Sequence, residues 1–187
     1  MVDYSISDLR PGLKVVINGS PWIIKSKEFV KPGKGQVFVR TKFVNLQTGA
    51  NLEQTLKSGD TLTQADVIDC EVQFLYQENE LYYFMDLTNY DHHQVKKETL
   101  KGQDIWLNLE DSCILRLWDQ NPIALFPPQQ VCIKVESSEP GVKGDTQCGA
   151  TKNATLENGL TIQVPLFIEA GNIIKVNTVT KQYISRV

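Results

Sequence analysis

At 187 residues, with 41% hydrophobic and 22% charged positions, the chain has the composition of an ordinary soluble globular protein and room for one to three small domains. Its net charge of −3 argues against avid, indiscriminate polyanion binding. No apolar run approaches the ~20 residues of a membrane-spanning helix, so no membrane partner is expected. The opening MVDYSISDLRPG lacks a basic stretch followed by an apolar core, and a cytoplasmic location is the expectation.

Charge is uneven along the chain. Residues 1–64 hold nine Lys/Arg against five Asp/Glu, residues 65–128 four against twelve, and residues 129–187 six against five. A polyanion would therefore meet the two ends rather than the middle. Cys70, Cys113, Cys132 and Cys148 form no C-x-x-C pair and have no histidine at zinc-finger spacing, so free and mostly buried thiols are expected and no metal site.

Taken in order, Ser5 to Arg10 is a short polar segment, followed by a strand at Leu13–Ile17, an Asn18-Gly19 hairpin turn and a partner strand at Pro21–Lys25. Next comes KSKEFVKPGKGQVFVR, Lys25 to Arg40. Pro32 fixes one φ and lacks a backbone donor, while Gly33 and Gly35 allow conformations closed to other residues. Flanked by EFV and VFVR, with the β-branched and aromatic content of strands, this reads as a hairpin lifting the amine of Lys34 to its tip. The same composition also suits a plain solvated turn. It is not a phosphate-binding P-loop, which requires G-x-x-x-x-G-K-[ST] running into a helix. A strand at Val37–Leu46, a turn near Gln47-Thr48-Gly49 and an alternating strand at Leu52–Leu56 complete a small barrel, with Ser58-Gly59-Asp60 opening a polar exit.

The second third alternates over Ile68–Tyr76, turns at Gln77–Glu80 and returns through Leu81–Met85. Asn89–Leu100 reads as one or two irregular helical turns. Strands follow at Cys113–Trp118 and Ile123–Phe126, joined by a turn at Asp119–Pro122, and Pro127-Pro128 stiffens the exit. The last third has a strand at Val131–Val135, a long small-residue loop from Ser137 to Lys152, a strand near Ala154–Leu156, an Asn158-Gly159 turn, a strand at Leu160–Val164, and a closing hairpin from Ile173 to Val187. Both later thirds look like five-stranded barrels of the oligonucleotide-binding type. The expected fold is all-β, in three domains: 1–64, 65–128 and 129–187. Trp22, Trp106 and Trp118 read as core aromatics, and the adjacent His92-His93 as solvated loop residues unsuited to metal binding. No nucleophile, base and orienting group occur together, so neither catalytic residues nor a cofactor are expected.

Four features in order carry a resemblance: Glu28–Gln36 in the tip hairpin, Gly144-Asp145-Thr146 in the long loop, Lys152-Asn153-Ala154 through Gly171, and the ending Tyr183-Ile184-Ser185-Arg186. Together they resemble the bacterial elongation factor P family over the whole chain. Asn177-Thr178 stands where that family commonly has Asp-Thr. The resemblance implies an L-shaped molecule with a KOW/SH3-like barrel followed by two oligonucleotide-binding-like barrels. It implies a monomeric translation factor that binds the ribosome, both rRNA and ribosomal proteins, between the peptidyl and exit sites and relieves stalling at consecutive prolines. Lys34 would be lengthened by a ligase related to lysyl-tRNA synthetase. The tip Lys31, Pro32, Gly33, Lys34, Gly35 and Gln36 would contact peptidyl-tRNA. Arg40, Lys42, Gly144, Asp145, Thr146, Tyr183 and Arg186 would face RNA. A paralogue with another stall spectrum and a general single-stranded RNA-binding barrel protein are the competing readings; the latter requires exposed aromatic platforms and salt-sensitive binding to free oligonucleotides.

Overall fold

The computed structural model describes residues 2–31, 38–109, 111–140 and 151–187. Among them the chain forms sixteen strands, one four-residue α-helix and one short 3-10 helix. The strands fall into three antiparallel sheets that follow one another in sequence. The expected all-β architecture is present.

The first sheet contains β1 (Asp3–Ser5), β2 (Lys14–Ile17), β3 (Ser20–Val30), β4 (Phe38–Asn45), β5 (Asn51–Lys57) and β6 (Thr61–Gln64), in the spatial order β1-β6-β2-β3-β4-β5. Asn18 and Gly19 both take left-handed φ values, 51° and 69°, which gives the two-residue turn whose twist matches the strands it joins. Thr61–Gln64, beyond the polar Ser58-Gly59-Asp60 turn, returns to pair with both β1 and β2. Leu9, Val15, Ile17, Ile24, Phe43 and Leu56 close the core. Asn45, nearly buried, accepts the backbone N–H groups of Gln47 and Thr48 at 2.8 Å each and so shapes the turn leading into β5.

The second sheet holds β7 (Val67–Glu78), β8 (Leu81–Asp86), β9 (His92–Lys96), β10 (Ser112–Trp118) and β11 (Asn121–Phe126) in the order β11-β10-β7-β8-β9. The third holds β12 (Gln130–Ser138), β13 (Thr151–Leu156), β14 (Thr161–Pro165), β15 (Ile173–Asn177) and β16 (Gln182–Arg186) in the order β14-β13-β12-β15-β16. These are one topology used twice: the opening strand is central, strands two and three lie to one side, and strands four and five to the other. The outer strands β9 and β11 approach each other, as do β14 and β16, so each sheet curls back on itself.

Several expectations are corrected. Asn89–Leu100 is half strand: β9 precedes the single helical turn Lys97–Leu100. Its polar side chains hide the strand, since only Val95 among His92–Lys96 is buried. His93 therefore lies in a strand opposite Phe84, half-buried, rather than in a solvated loop. The Asp119–Pro122 turn is tighter than expected, because Asp119 and Gln120 adopt φ of 46° and 65° and Pro122 already belongs to β11. Pro122 is tolerated there because β11 is the outer strand, where a missing N–H breaks no inner ladder. The segment Ser5–Arg10 begins inside the unforeseen β1, whose last residue, Ser5, pairs with Thr61 of β6.

The tryptophans do not play one part. Trp106, 2% exposed, comes from the second barrel's sequence but packs with Val131, Leu156, Ile168 and Ile174 in the core of the third. Trp118 is half-buried against Ala65, Val67 and Ile123, beside Val16 and Leu46 of the first sheet. Trp22 is half-buried, and its indole Nε1 donates to the Ile17 carbonyl at 3.2 Å. Lys14 Nζ donates to the Val67 carbonyl at 3.0 Å, and Lys101 Nζ to that of Gln47, so the first two sheets are joined by polar as well as apolar contacts.

Three cysteines are free thiols in unlike settings, and Cys148 lies outside the described residues. Cys113 is buried, and burial, with a smaller contribution from Asp111, pushes its thiol up to about 11. Cys132 is exposed, contrary to the expectation that the thiols are mostly buried. Of the three described thiols, a timed alkylation at pH 8 is expected to label Cys132 first and Cys113 only after denaturation, because the thiolate is the reactive form. Equal labelling rates by peptide mass would refute this.

Candidate functional site

The arms of the Lys25–Arg40 hairpin are built as the sequence suggests. Val30 pairs with Phe38, Phe29 with Val39 and Glu28 with Arg40, so β3 and β4 stay in register up to the last described positions. Lys31 is exposed where β3 ends; Pro32, Gly33, Lys34, Gly35 and Gln36 lie outside the described residues. Along β4, Val39, Thr41 and Phe43 point inward while Arg40 and Lys42 face solvent, the two-residue alternation of a sheet with one wet face.

Arg40 and Lys42 do not stand alone on that face. Glu53 on the neighbouring β5 lies 3.2 Å from Arg40 Nε and 3.8 Å from Lys42 Nζ. All three side chains are about half exposed or more, so the pairs contribute little stability, on the order of 0–1 kcal/mol. Glu53 sits between the two cations and leaves both open to a second anion. The sequence reading did not single it out, although its period-two position on β5 places it opposite Lys42.

A second residue missed from sequence is Lys27. Its ammonium donates to the carbonyls of Ile6 at 2.9 Å and Leu9 at 2.8 Å, reaches that of Ser7 at 3.4 Å, and lies 4.3 Å from the centroid of the Phe29 ring. Nothing local in the sequence points to these partners, which are carbonyls some twenty positions away.

In the third barrel, Gly144, Asp145 and Thr146 lie outside the described residues, but the base of their loop is described and firmly tied. Glu139 N donates to the Asn153 carbonyl at 3.0 Å, and Asn153 Nδ2 donates to the Glu139 carboxylate at 3.1 Å. Gln163 Nε2 adds a bond to Asn153 Oδ1. The two strands that lead into and out of the loop are thereby held together. At the C-terminal end, Tyr183 is half-buried against the third barrel's core, and Arg186 is exposed with its guanidinium 5.8 Å from the Phe167 ring centroid. Phe167 is itself 59% exposed, so Arg186 and Phe167 form a surface cation–aromatic pair.

Among the described residues of the acidic middle third, Asp69 and Asp86 are tied to structural partners. Asp69 binds Arg116 through two bonds of 2.6 and 2.7 Å, and these hydrogen bonds hold its carboxyl below the usual aspartate range. Asp86 caps a turn by accepting the N–H of Thr88 at 2.7 Å. Among the described residues no cluster of histidine, cysteine or acidic side chains could hold a metal ion.

Three family descriptions match consecutive parts of the chain: the elongation factor P KOW-like domain over residues 5–62, the elongation factor P OB domain over 67–125, and the elongation factor P C-terminal domain over 131–186. Elongation factor P of Pectobacterium atrosepticum is 42% identical over 187 residues, covering 100% of both chains. This chain belongs to the elongation factor P family. Two solved structures share the elongation factor P member's fold at 18% sequence identity. Eukaryotic translation initiation factor 5A from Methanococcus jannaschii has a TM-score of 0.52 and covers 65% of this chain and 90% of its own. A translation initiation factor eIF-5A family protein from Naegleria fowleri also has a TM-score of 0.52, with 67% and 97% covered. Among the described residues of this elongation factor P family member, no helix is long and apolar enough to cross a membrane.

Proposed function

We propose that this elongation factor P family member is a cytoplasmic translation factor that binds the ribosome as a monomer, between the peptidyl and exit sites, and relieves stalling at consecutive prolines. The observation carrying this reading is its full-length relationship to Elongation factor P, with no part of either chain left over. The proposed division is 1–64, 65–128 and 129–187, arranged as an L. The factor has no catalytic residue of its own in this reading.

Proline has a fixed φ and a secondary nitrogen, and successive prolines stiffen a nascent chain. A peptidyl-tRNA held slightly out of place loses its near-attack geometry. A protein that only repositions that tRNA can restore the rate without doing chemistry. In this reading Lys34, lengthened by a ligase related to lysyl-tRNA synthetase, reaches the acceptor end of peptidyl-tRNA, where a cation finds phosphate and hydroxyl partners. Lys31, Arg40 and Lys42 line the approach with positive charge, and Glu53 pairs loosely with the last two between encounters. Gly144, Asp145 and Thr146 approach RNA from the tied loop, and Tyr183 and Arg186 support that end.

The test is a reconstituted translation reaction given the protein isolated from its own cells. Messages with and without a run of three proline codons are compared, and the mass of the peptide bearing Lys34 is measured in the same preparation. Acceleration confined to the proline message, with a mass increment on Lys34, is expected. No acceleration of the proline message would overturn the reading.

A further inference from the structure

We infer that Lys27 is the positioning residue that sets the direction of the β3–β4 arm, and therefore of the tip it carries; this rests on the reading of the tip proposed above. On the side of β3 away from β4, ladder pairing ends early. β2 pairs with Ser20 to Ile23, and Ile24 exchanges backbone bonds with Gly12 and Leu13 at 2.8 and 2.9 Å. The register then slips between Ile24 and Ser26, a bulge that bends the strand at the point where the arm leaves the barrel.

From Lys25 to Val30 no side chain of β3 is buried, and Phe29 is 57% exposed. Among the described residues the one side-chain hydrogen-bonding tie from this stretch to another part of the barrel is the Lys27 ammonium, set against the carbonyls of Ile6, Ser7 and Leu9. An ammonium has three donors and no acceptor, so a cluster of carbonyl oxygens is a matched partner. The Phe29 ring covers the ammonium at 4.3 Å and strengthens the contact by cation–aromatic attraction.

The segment that Lys27 grips is itself anchored. Ser5 donates to Asp8 Oδ2 through N at 3.1 Å and Oγ at 2.5 Å, Asp8 N returns a bond to the Ser5 carbonyl at 3.0 Å, and Leu9 is buried in the first core. A continuous path thus runs from the core through Leu9 and its carbonyl to Lys27 and the arm. Pairing with β5 holds the arm's other edge. With both edges held, the arm has one direction.

The experiment is the proline-message reaction run over a range of factor concentrations with wild type, Lys27→Met, Lys27→Arg and Lys34→Ala. The three lysine-34-bearing proteins are matched beforehand for the mass of the Lys34 peptide. Lys27→Met keeps the aliphatic stem on Phe29 and removes the donors. Its maximal rate at saturating factor is expected to fall about tenfold, because a displaced tip is misplaced in every bound complex. The half-saturating concentration is expected to stay within about twofold, and Lys27→Arg to recover most of the rate, its donors meeting the same carbonyls. A merely structural loss would reduce the folded fraction, raising the half-saturating concentration and leaving the plateau untouched. A wild-type plateau for Lys27→Met would overturn the inference. Should that variant not fold, Asp8→Asn, which loosens the gripped turn from its other side, carries the same expectation of a lowered plateau. A wild-type response from Lys34→Ala would instead refute the role of the tip, whatever Lys27 does.

Discussion

Replacing Lys34 with alanine is expected to abolish stimulation at consecutive prolines while leaving ribosome binding nearly intact. In the mechanism proposed above, Lys34 supplies one cation to an association that draws on three barrels, whereas no other residue takes its place in the reacting geometry. Ångström-scale misplacement of a reacting group lowers a rate by ~100-fold, and that is the expected deficit in dipeptide formation on a proline-programmed ribosome. Affinity, measured by co-sedimentation with ribosomes, is expected to change by less than about tenfold, the equivalent of one charge-assisted contact. Unimpaired rescue by Lys34→Ala would remove the tip from the mechanism. A collapse of both rescue and binding would move Lys34 from repositioning the tRNA to holding the factor on the ribosome.

The second large effect is expected at Trp106. Its indole is 2% exposed within the core of a barrel to which its own strands do not belong. The chain leaves the short helix Lys97–Leu100 through left-handed Lys101 and Gly102, at φ 50° and 77°, and enters the 3-10 turn Gln103–Trp106, which delivers the ring across the boundary. From the other side Asn158 Nδ2 donates to the Ile105 carbonyl at 3.0 Å and fixes the same turn. Trp106→Ala should destabilise the third barrel by about 3–5 kcal/mol, from lost transfer energy and the cavity left behind. Amide exchange resolved by strand is the measurement. Protection in β12 and β15 should fall, while the first sheet, whose core is a separate cluster, keeps its own. Loss confined to the second barrel would mean that the indole serves its parent strands instead. Trp106→Phe should retain part of the stability, since a smaller ring leaves a smaller void.

The elements legible from sequence were those whose signal is local. Asn18-Gly19 announced its hairpin because two left-handed positions in succession strongly favour those residues. The alternation over Leu52–Leu56 and Ile68–Tyr76 announced strands, and these segments lie in β5 and β7. The elements missed are those set by distant partners. Asp3–Ser5 is a strand only because β6 returns to pair with it, and His92–Lys96 only because β8 supplies the ladder; neither has an apolar pattern of its own. Trp106 was recognisable as a core residue, but not the barrel that would hold it. Around the candidate site, the hairpin's arms and the outward-facing Arg40 and Lys42 were legible from β-branched content and period two. Glu53 and the carbonyl cage of Lys27 were not, because both depend on cross-strand register and on a fold-back of the N-terminal segment.

The shared order of the second and third sheets also constrains how the chain is made. Each begins with the strand that ends up in the middle, and that strand acquires its second neighbour only when the fourth strand arrives: Val72 waits for Cys113, and Ile133 for Ile174. With a pairing partner roughly 40 residues later in both cases, these are high-contact-order units, slow to close relative to helical modules of similar size. During synthesis neither barrel can complete its sheet until most of its residues have emerged. Until then the inward faces of β7 and β12 are bare, so the growing chain passes twice through a stage at which a chaperone, or a neighbouring nascent chain, could take hold of it.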